Sequence, residues 1–428
     1  MKHNTQSEKI AQVDEQTLVV GIDIGSTKHY ARCFNNRGME LSRKAFSFEN
    51  NEEGFEHFRD WAVKNMTTHE KRKIMVGLEP TGHYWFPLGW YLEEQGIRFG
   101  LVAPQHVKHS KELDDNTPRK DDNKDPMVIA KLITEGRYAL PYMPEGKYAE
   151  LRVAFSRRCE LVAETTRVKN RIQRWFSIYF PEYHGVYSRV DTVSGLKILR
   201  KAPLPQDIVA LGVEGINQIW RDAKCRAAGM KRAKTLVEAA AHSVGGKQAG
   251  QAARMNLWQL LDQLELLTKQ LDEMNEQILS ILAEIPEAEK LLKIPGIGMV
   301  VAAGFLAEVG DVRRFTDPKQ IQKLAGLAVT ENSSGKHKGQ SGISRRGRKR
   351  LRWVMYQAAM CAVKSNAEMK ELHHYYIERK NNPLKPMQSL MAVAGKLIRV
   401  FFGVIKHDSD YDPIKLRQDI HRIEAKIA

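Results

Sequence analysis

Thr17-Leu18-Val19-Val20-Gly21-Ile22-Asp23-Ile24-Gly25 is the stretch whose reading decides the fold. It is β-branched and apolar, and reads as a central strand. Alternation puts Leu18, Val20, Ile22 and Ile24 on one face and Val19, Gly21 and Asp23 on the other. An ionised carboxylate at mid-strand needs a partner, and a bound cation is the natural one. The flanking glycines leave room for a large ligand. The plainer alternative is a strand-end Asp at the surface.

Outward from this strand, residues 29–35 and 39–48 read as two more strands. The turn signal Asn35-Asn36-Arg37-Gly38 lies between them, so the first three strands form a meander. Phe55, Phe58, Trp61 and Ala62 give residues 52–65 helical spacing. Residues 73–78 are a short buried strand, 83–95 a helix ending at Gly96, and 97–102 a further strand. A three-strand meander followed by alternating helix and strand is the order of an RNase H-like α/β fold. The alternation implies that the later strands run parallel. We assign residues 1–140 to this domain.

The 428 residues carry 67 Lys plus Arg against 51 Asp plus Glu, a formal charge of +16, which suggests a polyanionic partner such as nucleic acid. A hydrophobic content of 42% excludes a wholly disordered chain. Mean hydropathy is −0.45, and polar residues interrupt each apolar stretch before the ~18 residues of a membrane span, so no membrane association is expected. Residues 1–16 are polar, without the apolar core of a secretory signal. Cys33, Cys159, Cys225 and Cys361 form no C-x-x-C pair, which argues against structural zinc or disulfides and suits a reducing cytosol.

Leu257, Leu260, Leu264, Leu267, Leu271, Met274, Ile278, Ile281 and Ile285 alternate at three and four residues, an unbroken heptad seam. Leu151, Ala154, Arg158, Leu161, Thr165, Val168, Ile172, Trp175 and Tyr179 repeat that spacing, although Arg158 and Thr165 interrupt its apolar character. Two long helices packed as a coiled coil, within one chain or between chains, are expected in a helical region 147–285. Shorter helices broken by Gly195, Pro203, Pro205 and Gly245-Gly246 are expected over 185–250. Residues 286–428 read as a third, mainly helical unit with a charged tail helix.

Glu79 follows the strand 73–78 and precedes Pro80-Thr81-Gly82, where Thr81 can cap the next helix. It therefore sits at the C-terminal edge of a strand, where sites gather in open α/β sheets. In Asp121-Asp122-Asn123-Lys124-Asp125-Pro126, Asp125 before Pro126 reads as a helix start. Asp122 and Asp125 can converge there, unless this run is only a solvated turn. Four carboxylates from these places fit a two-metal phosphodiester site with Mg²⁺ or Mn²⁺. Gly-Ile-Asp-Ile-Gly-Ser-Thr also opens the phosphate turn of actin-like kinases. Their second Asp-x-Gly loop and their Gly-rich adenosine motif have no counterpart in this sequence.

Leu291-Leu292-Lys293-Ile294-Pro295-Gly296-Ile297-Gly298-Met299 matches a helix-hairpin-helix, whose Gly296 and Gly298 offer backbone N–H groups to a phosphate. Farther on, Ser333-Ser334-Gly335 leads into Lys336, Lys338, Arg345, Arg346, Arg348, Lys349, Arg350 and Arg352 with no acid among them. Each phosphate neutralised by such a run steepens the salt dependence of binding by ~0.9 log units. A serine beside arginines can attack a phosphodiester, though most loop serines have no such role.

In this order and spacing the motifs resemble the DEDD insertion-sequence transposases, the bridge-RNA-guided recombinases related to pilin-gene-inverting recombinases. The resemblance rests on Gly21-Ile22-Asp23, Glu79-Pro80-Thr81-Gly82, Lys120 to Asp125, Ile294 to Gly298, Ala325-Gly326-Leu327, Ser334-Gly335 and Arg346-Gly347 with Leu351-Arg352, and spans nearly the whole chain. It implies a RuvC-like N-terminal domain, a coiled coil and a C-terminal transposase domain. It places Asp23, Glu79, Asp122 and Asp125 at the metal carboxylates and Ser334 at the nucleophile that links covalently to DNA. It further implies donor and target DNA, a structured guide RNA, a homo-oligomer (dimer or tetramer) sharing sites between subunits, and work in the bacterial cytosol.

The third motif departs from the usual Lys-Thr-Asp-x-x-Asp-Ala, having Asp121 for Thr and Pro126 for Ala, so Asp121 competes with Asp122. Ser333 competes with Ser334 in the same way. The chain is long for the family, and residues 185–250 are where the extra length is expected. A second reading is a junction-resolving nuclease that uses the carboxylates alone. A third is a non-catalytic nucleic-acid scaffold.

Overall fold

The computed structural model of the chain describes residues 6–42, 44–80, 82–114, 125–226, 228–248, 250–330, 333–334, 337–338 and 342–416, with backbone alone at 112–114, 333–334 and 337–338. They form two compact units, Met1–Pro144 with Arg314–Thr316, and Glu145–Arg313 with Asp317–Ala428.

The first unit runs α1 (Gln6–Ala11), β1 (Thr17–Ile24), β2 (Lys28–Phe34), β3 (Phe46–Glu49), α2 (Glu52–Thr68), β4 (Lys73–Leu78), α3 (Phe86–Glu94), β5 (Phe99–Leu101), α4 (Pro104–Asp114) and α5 (Asp125–Thr134). One mixed sheet results, in the order β3-β2-β1-β4-β5. β2 is antiparallel to β1 and β3, while β4 is parallel to β1 and β5. This is the sheet of an RNase H-like fold.

The third strand is shorter than its sequence suggests. Asn35 Oδ1 accepts from the N–H groups of Arg37 and Met39, and the Ser42 hydroxyl, rather than a backbone carbonyl, accepts from Cys33 N–H. The chain still bridges Phe34 at Glu40 and bonds the Cys33 carbonyl from Leu41 N–H, then leaves the ladder until Phe46. α3 also starts later than residue 83, because Pro87 fits only its first turn. Thr81, the expected cap, lies outside the described residues.

Both faces of β1 are buried. Leu18, Val20, Ile22 and Ile24 pack with Phe55 and Phe58 of α2 and with Leu88 and Leu92 of α3. Val19 packs on the other face with Val128, Ile129 and Ile133 of α5. A row of glycines lets α5 approach: Gly21, Gly77 and Gly100 are register partners on β1, β4 and β5. A Cβ on Gly21 would lie 1.8 Å from the Pro126 carbonyl oxygen, and one on Gly77 would lie 2.6 Å from Ile133 Cγ1. The helix backbone rests where β1 has no side chain.

The second unit begins with α6 (Gly146–Tyr179), α7 (Tyr183–Val186), α8 (Val193–Lys201), α9 (Pro205–Asp222), α10 (Met230–Ala241) and α11 (Gly250–Ala283). The two seam-bearing helices, α6 and α11, pack on each other within the chain. They run antiparallel: Trp175 Nε1 donates to the Ala253 carbonyl at 3.0 Å, and Arg158 Nε donates to Asn275 Oδ1 at 2.8 Å. Arg158 thus has a polar partner across the seam. α7 to α10 close over the far end of this pair around buried Phe176, Phe180, Tyr183 and Trp220. Gly195 sits inside α8 rather than breaking it, where a Cβ would strike the Tyr183 hydroxyl at 2.2 Å.

The unit continues with α12 (Pro286–Leu292), α13 (Met299–Val309), α14 (Pro318–Leu324), the short strands β6 (Val329–Thr330), β7 (Ser333–Ser334), β8 (His337–Lys338) and β9 (Gly342–Ile343), then α15 (Lys349–Ser365), α16 (Ala367–Glu378) and α17 (Pro386–Lys406). Residues 417–428 of the expected tail helix lie outside the described residues.

One sequence expectation is corrected by α17. An 18-residue window in it has a mean hydropathy of 1.5, long and apolar enough to cross a bilayer, despite Lys396 and Arg399. Val393, Leu397, Ile398 and Phe401 are nevertheless fully buried in a helix that packs on α14, α15 and α16, as in a protein core.

Candidate active site

Asp23 and Glu79 meet because β1 and β4 are parallel neighbours. Ile22 is in register with Leu78, so the next residue of each strand emerges at the same C-terminal edge. Asp125 arrives from the first turn of α5, the helix seated on the glycine row. The residue is 6% exposed, and the amide dipoles of that turn favour a negative charge. The three acids line one pocket of about 450 Å³, with Tyr30, Lys108 and Lys111 among the other lining residues.

Charge inside the pocket is unbalanced. Lys111 of α4 forms an ion pair with Asp125. Glu79 is held above the usual carboxylate range, first by burial and then by the negative charges of Asp125 and Asp23, with Lys111 opposing. Three carboxylates, with two lysines in the same lining, fit a divalent ion such as Mg²⁺ or Mn²⁺. Among the described residues, no three acidic, His or Cys side chains are gathered tightly enough to form a ready-made metal cage. Asp122 and its rival Asp121 lie outside the described residues.

Sequence reasoning missed Tyr30 and Lys111. Tyr30 is the register partner of Asp23 across the β1–β2 ladder, which is readable once the hairpin is paired. Lys111 lies one turn after Lys108 on a helix that opens just past β5, a spacing that puts both lysines on one face.

In the second unit, α12 and α13 flank the turn at Pro295 to Gly298. The turn's two glycines differ. Gly296 has φ +87°, and a Cβ there would lie 2.9 Å from Ala362 Cα, so it is the point where the turn rests on α15. Gly298 is the exposed N-cap of α13, with no side-chain cap and open space around it. Ser333 and Ser334 form β7, paired with His337 and Lys338 of β8 and nested inside the β6–β9 pair. A two-tier hairpin therefore replaces the expected open loop.

The basic run divides by environment. Arg348 and Arg350 face Glu308, at 3.6 and 3.7 Å, and Arg352 donates to the carbonyls of Ala325 and Arg345. Arg345, Arg346 and Lys349 are exposed. Lys336 lies outside the described residues, as does the side chain of Lys338.

A mixed sheet of this order, with acids at the edge of its parallel strands, is the arrangement of an RNase H-like domain. Two family models match the chain: a transposase model of the DEDD IS110 type over residues 20–181, and the transposase model of the IS116/IS110/IS902 family over residues 288–374. The insertion element IS110 43.6 kDa protein of Streptomyces coelicolor is 24% identical over 92% of this chain and 95% of its own length. The insertion element IS116 44.8 kDa protein of Streptomyces clavuligerus is 24% identical over 69% of this chain and 73% of its own. The transposase for insertion sequence element IS1328 of Yersinia enterocolitica is 23% identical over 80% of this chain and 82% of its own. The chain belongs to the IS110/IS116/IS900 family of DEDD transposases, enzymes that act on DNA.

Proposed function

We propose that this transposase cuts and rejoins DNA strands through a covalent serine intermediate, guided by a structured RNA, as a homo-oligomer in the cytosol. The observation that carries the catalytic half is the shared pocket of Asp23, Glu79 and Asp125. With Asp122 these residues would hold Mg²⁺ or Mn²⁺. When bound, such ions polarise the phosphodiester and offset its charge.

The chain's own residues account for the rest. Asp23 and Glu79 come from rigid sheet edges and fix the pocket floor, while Asp125 moves only with α5. Lys111 holds Asp125 in place and offsets part of the acids' charge. The Ser334 oxygen forms a bond to phosphorus, the bond from phosphorus to one sugar oxygen breaks, and that oxygen leaves as a hydroxyl. A hydroxyl of the incoming strand then attacks the serine-linked phosphate, which rejoins DNA and restores the serine. Gly296, Gly298, Lys336, Lys338, Arg345, Arg346 and Lys349 contribute to phosphate binding. Arg348, Arg350 and Arg352 brace that surface through Glu308 and nearby carbonyls. RNA guidance, the sharing of sites between subunits and Ser334 as nucleophile rest on the motif resemblance.

Suicide DNA substrates test the reading. Wild type should yield a covalent protein–DNA adduct, and Ser334→Ala should yield none while still binding DNA. Full cleavage by Ser334→Ala would leave a carboxylate-only nuclease. Cleavage retained by Asp23→Ala with Glu79→Ala would defeat both readings.

A further inference from the structure

The chain that leaves β4 at Glu79 enters α3 through a run of rings. The helix buries one face: Trp85 is 8% exposed, and Leu88 and Leu92 are fully buried. On the other side Tyr84, Phe86 and Trp90 are 38%, 37% and 52% exposed. Phe86 and Trp90 are one turn apart with ring centroids at 5.8 Å, and Phe86 is backed at 4.4 Å by the Trp85 ring. The Tyr84 ring lies 4.4 Å from that of His83. Phe86 and Trp90 thus form one propped, contiguous aromatic face, with Tyr84 a separate exposed ring before it, an arrangement that marks an interaction site.

Asn50 links the start of this run to the chain beside the pocket. Its side-chain amide donates to the Ser26 carbonyl at 3.2 Å and to the Tyr84 carbonyl at 3.4 Å. Ser26 follows Gly25, which lines the pocket with Asp23. One side chain therefore ties the backbone of Tyr84 to the chain just past Gly25 at the pocket rim.

We infer that Tyr84, Phe86 and Trp90 form a stacking platform for an unpaired base of the DNA strand held in the carboxylate pocket. A duplex hides its base faces inside the stack and offers only edges, whereas an unpaired base has a free π face that any aromatic ring can meet. Strand exchange exposes such bases next to the cut. The inference rests on the reading that the pocket takes the phosphate to be cut. It supplies what the carboxylates lack, a means of holding a nucleotide whatever its sequence.

The test is photocross-linking of the full-length chain to an oligonucleotide carrying one 5-iododeoxyuridine, which reacts with stacked aromatic rings. It is run with single-stranded DNA and with its blunt duplex. Using the Glu79→Gln variant separates the two readings, since cross-linking needs no strand cutting. If Glu79→Gln still cuts DNA, the pocket reading fails while the platform is judged on its own cross-links. With single strands the adduct should map to peptides containing Tyr84, Phe86 or Trp90, with at least fivefold less from the duplex. Phe86→Ala with Trp90→Ala should lower the yield about tenfold, and Trp90→Tyr should retain it. Equal yields from duplex and single strand, or adducts only elsewhere, would overturn the platform. So would a Trp90→Ala protein with unchanged cross-linking and a smaller assembly mass, which would make the rings a contact between copies.

Discussion

Replacing Gly21 by Ala tests whether the approach of α5 sets the active site. The added methyl would lie 1.8 Å from the Pro126 carbonyl oxygen, 2.8 Å from its carbon and 3.0 Å from the Ala130 nitrogen. All three atoms are backbone, so no side chain can rotate away. Restoring an ordinary contact of 3.4 Å makes α5 retreat by about 1.6 Å, carrying Asp125 away from Asp23 and Glu79. Overpacking of this kind costs ~1–3 kcal/mol, and a misplacement of ~1 Å at a reacting centre costs ~100-fold in rate. Gly21→Ala should therefore remain folded, melt a few degrees lower, and cut DNA at least ~100-fold more slowly with binding intact.

Two companions grade the effect. Gly77→Ala meets only side-chain atoms of Ile133 and Ile129, at 2.6 and 2.8 Å, so it should fall between wild type and Gly21→Ala. Gly38→Ala has nothing within 4 Å and strains only its own backbone at φ +77°, so cleavage should be unchanged. If Gly21→Ala proves unstable, Gly77→Ala still reads the same coupling. Cleavage by a stably folded Gly21→Ala within about threefold of wild type would refute the claim that α5 positions Asp125 for chemistry.

Glu79 binds its proton more tightly in the folded chain than in the unfolded one, so its contribution to stability is fully present below the unfolded value and is lost as pH rises through the folded one. Glu79→Gln should thus melt higher than wild type near pH 8 without divalent ions, with the gap narrowing near pH 5. Scanning calorimetry at both values decides, and a pH-independent gap would contradict it. In the α6–α11 seam, Arg158→Leu strands Asn275 and should cost ~1 kcal/mol, while adding Asn275→Leu should recover that loss or more. Urea titration measures both, and a double variant no more stable than the single one would count against a paired seam.

The sequence carried the parts of the site that depend on local pattern. Asp23 and Glu79 could be placed because alternation and Pro80 fix where two strands expose their ends. Asp125 could be placed because a proline follows it at a helix start. Lys111 and Tyr30 could not, since each reaches the pocket only through tertiary packing or ladder register. Glu308 lies about 40 residues before the arginines it holds, so nothing local shows that Arg348 and Arg350 already have a partner. The heptads announced two long helices but not that each serves as the other's partner in one chain. The apolar run of α17 is interrupted too sparsely for composition to separate a core helix from a span. Its burial against α14, α15 and α16 makes that distinction.

The antiparallel helix pair also works as a ruler. Tyr148 bonds Glu287 at one end of α6, and Trp175 bonds Ala253 toward the other, some 27 residues of helix apart. At ~1.5 Å per residue the two ends are separated by roughly 40 Å, more than one full turn of a DNA duplex at ~34 Å. The bundle of α7 to α10 closes over the Trp175 end of this pair, away from the α12 end. A single nucleic acid gripped at both ends has to be longer than about ten base pairs, so shortening α6 and α11 by matched heptads would shrink the protected footprint in even steps.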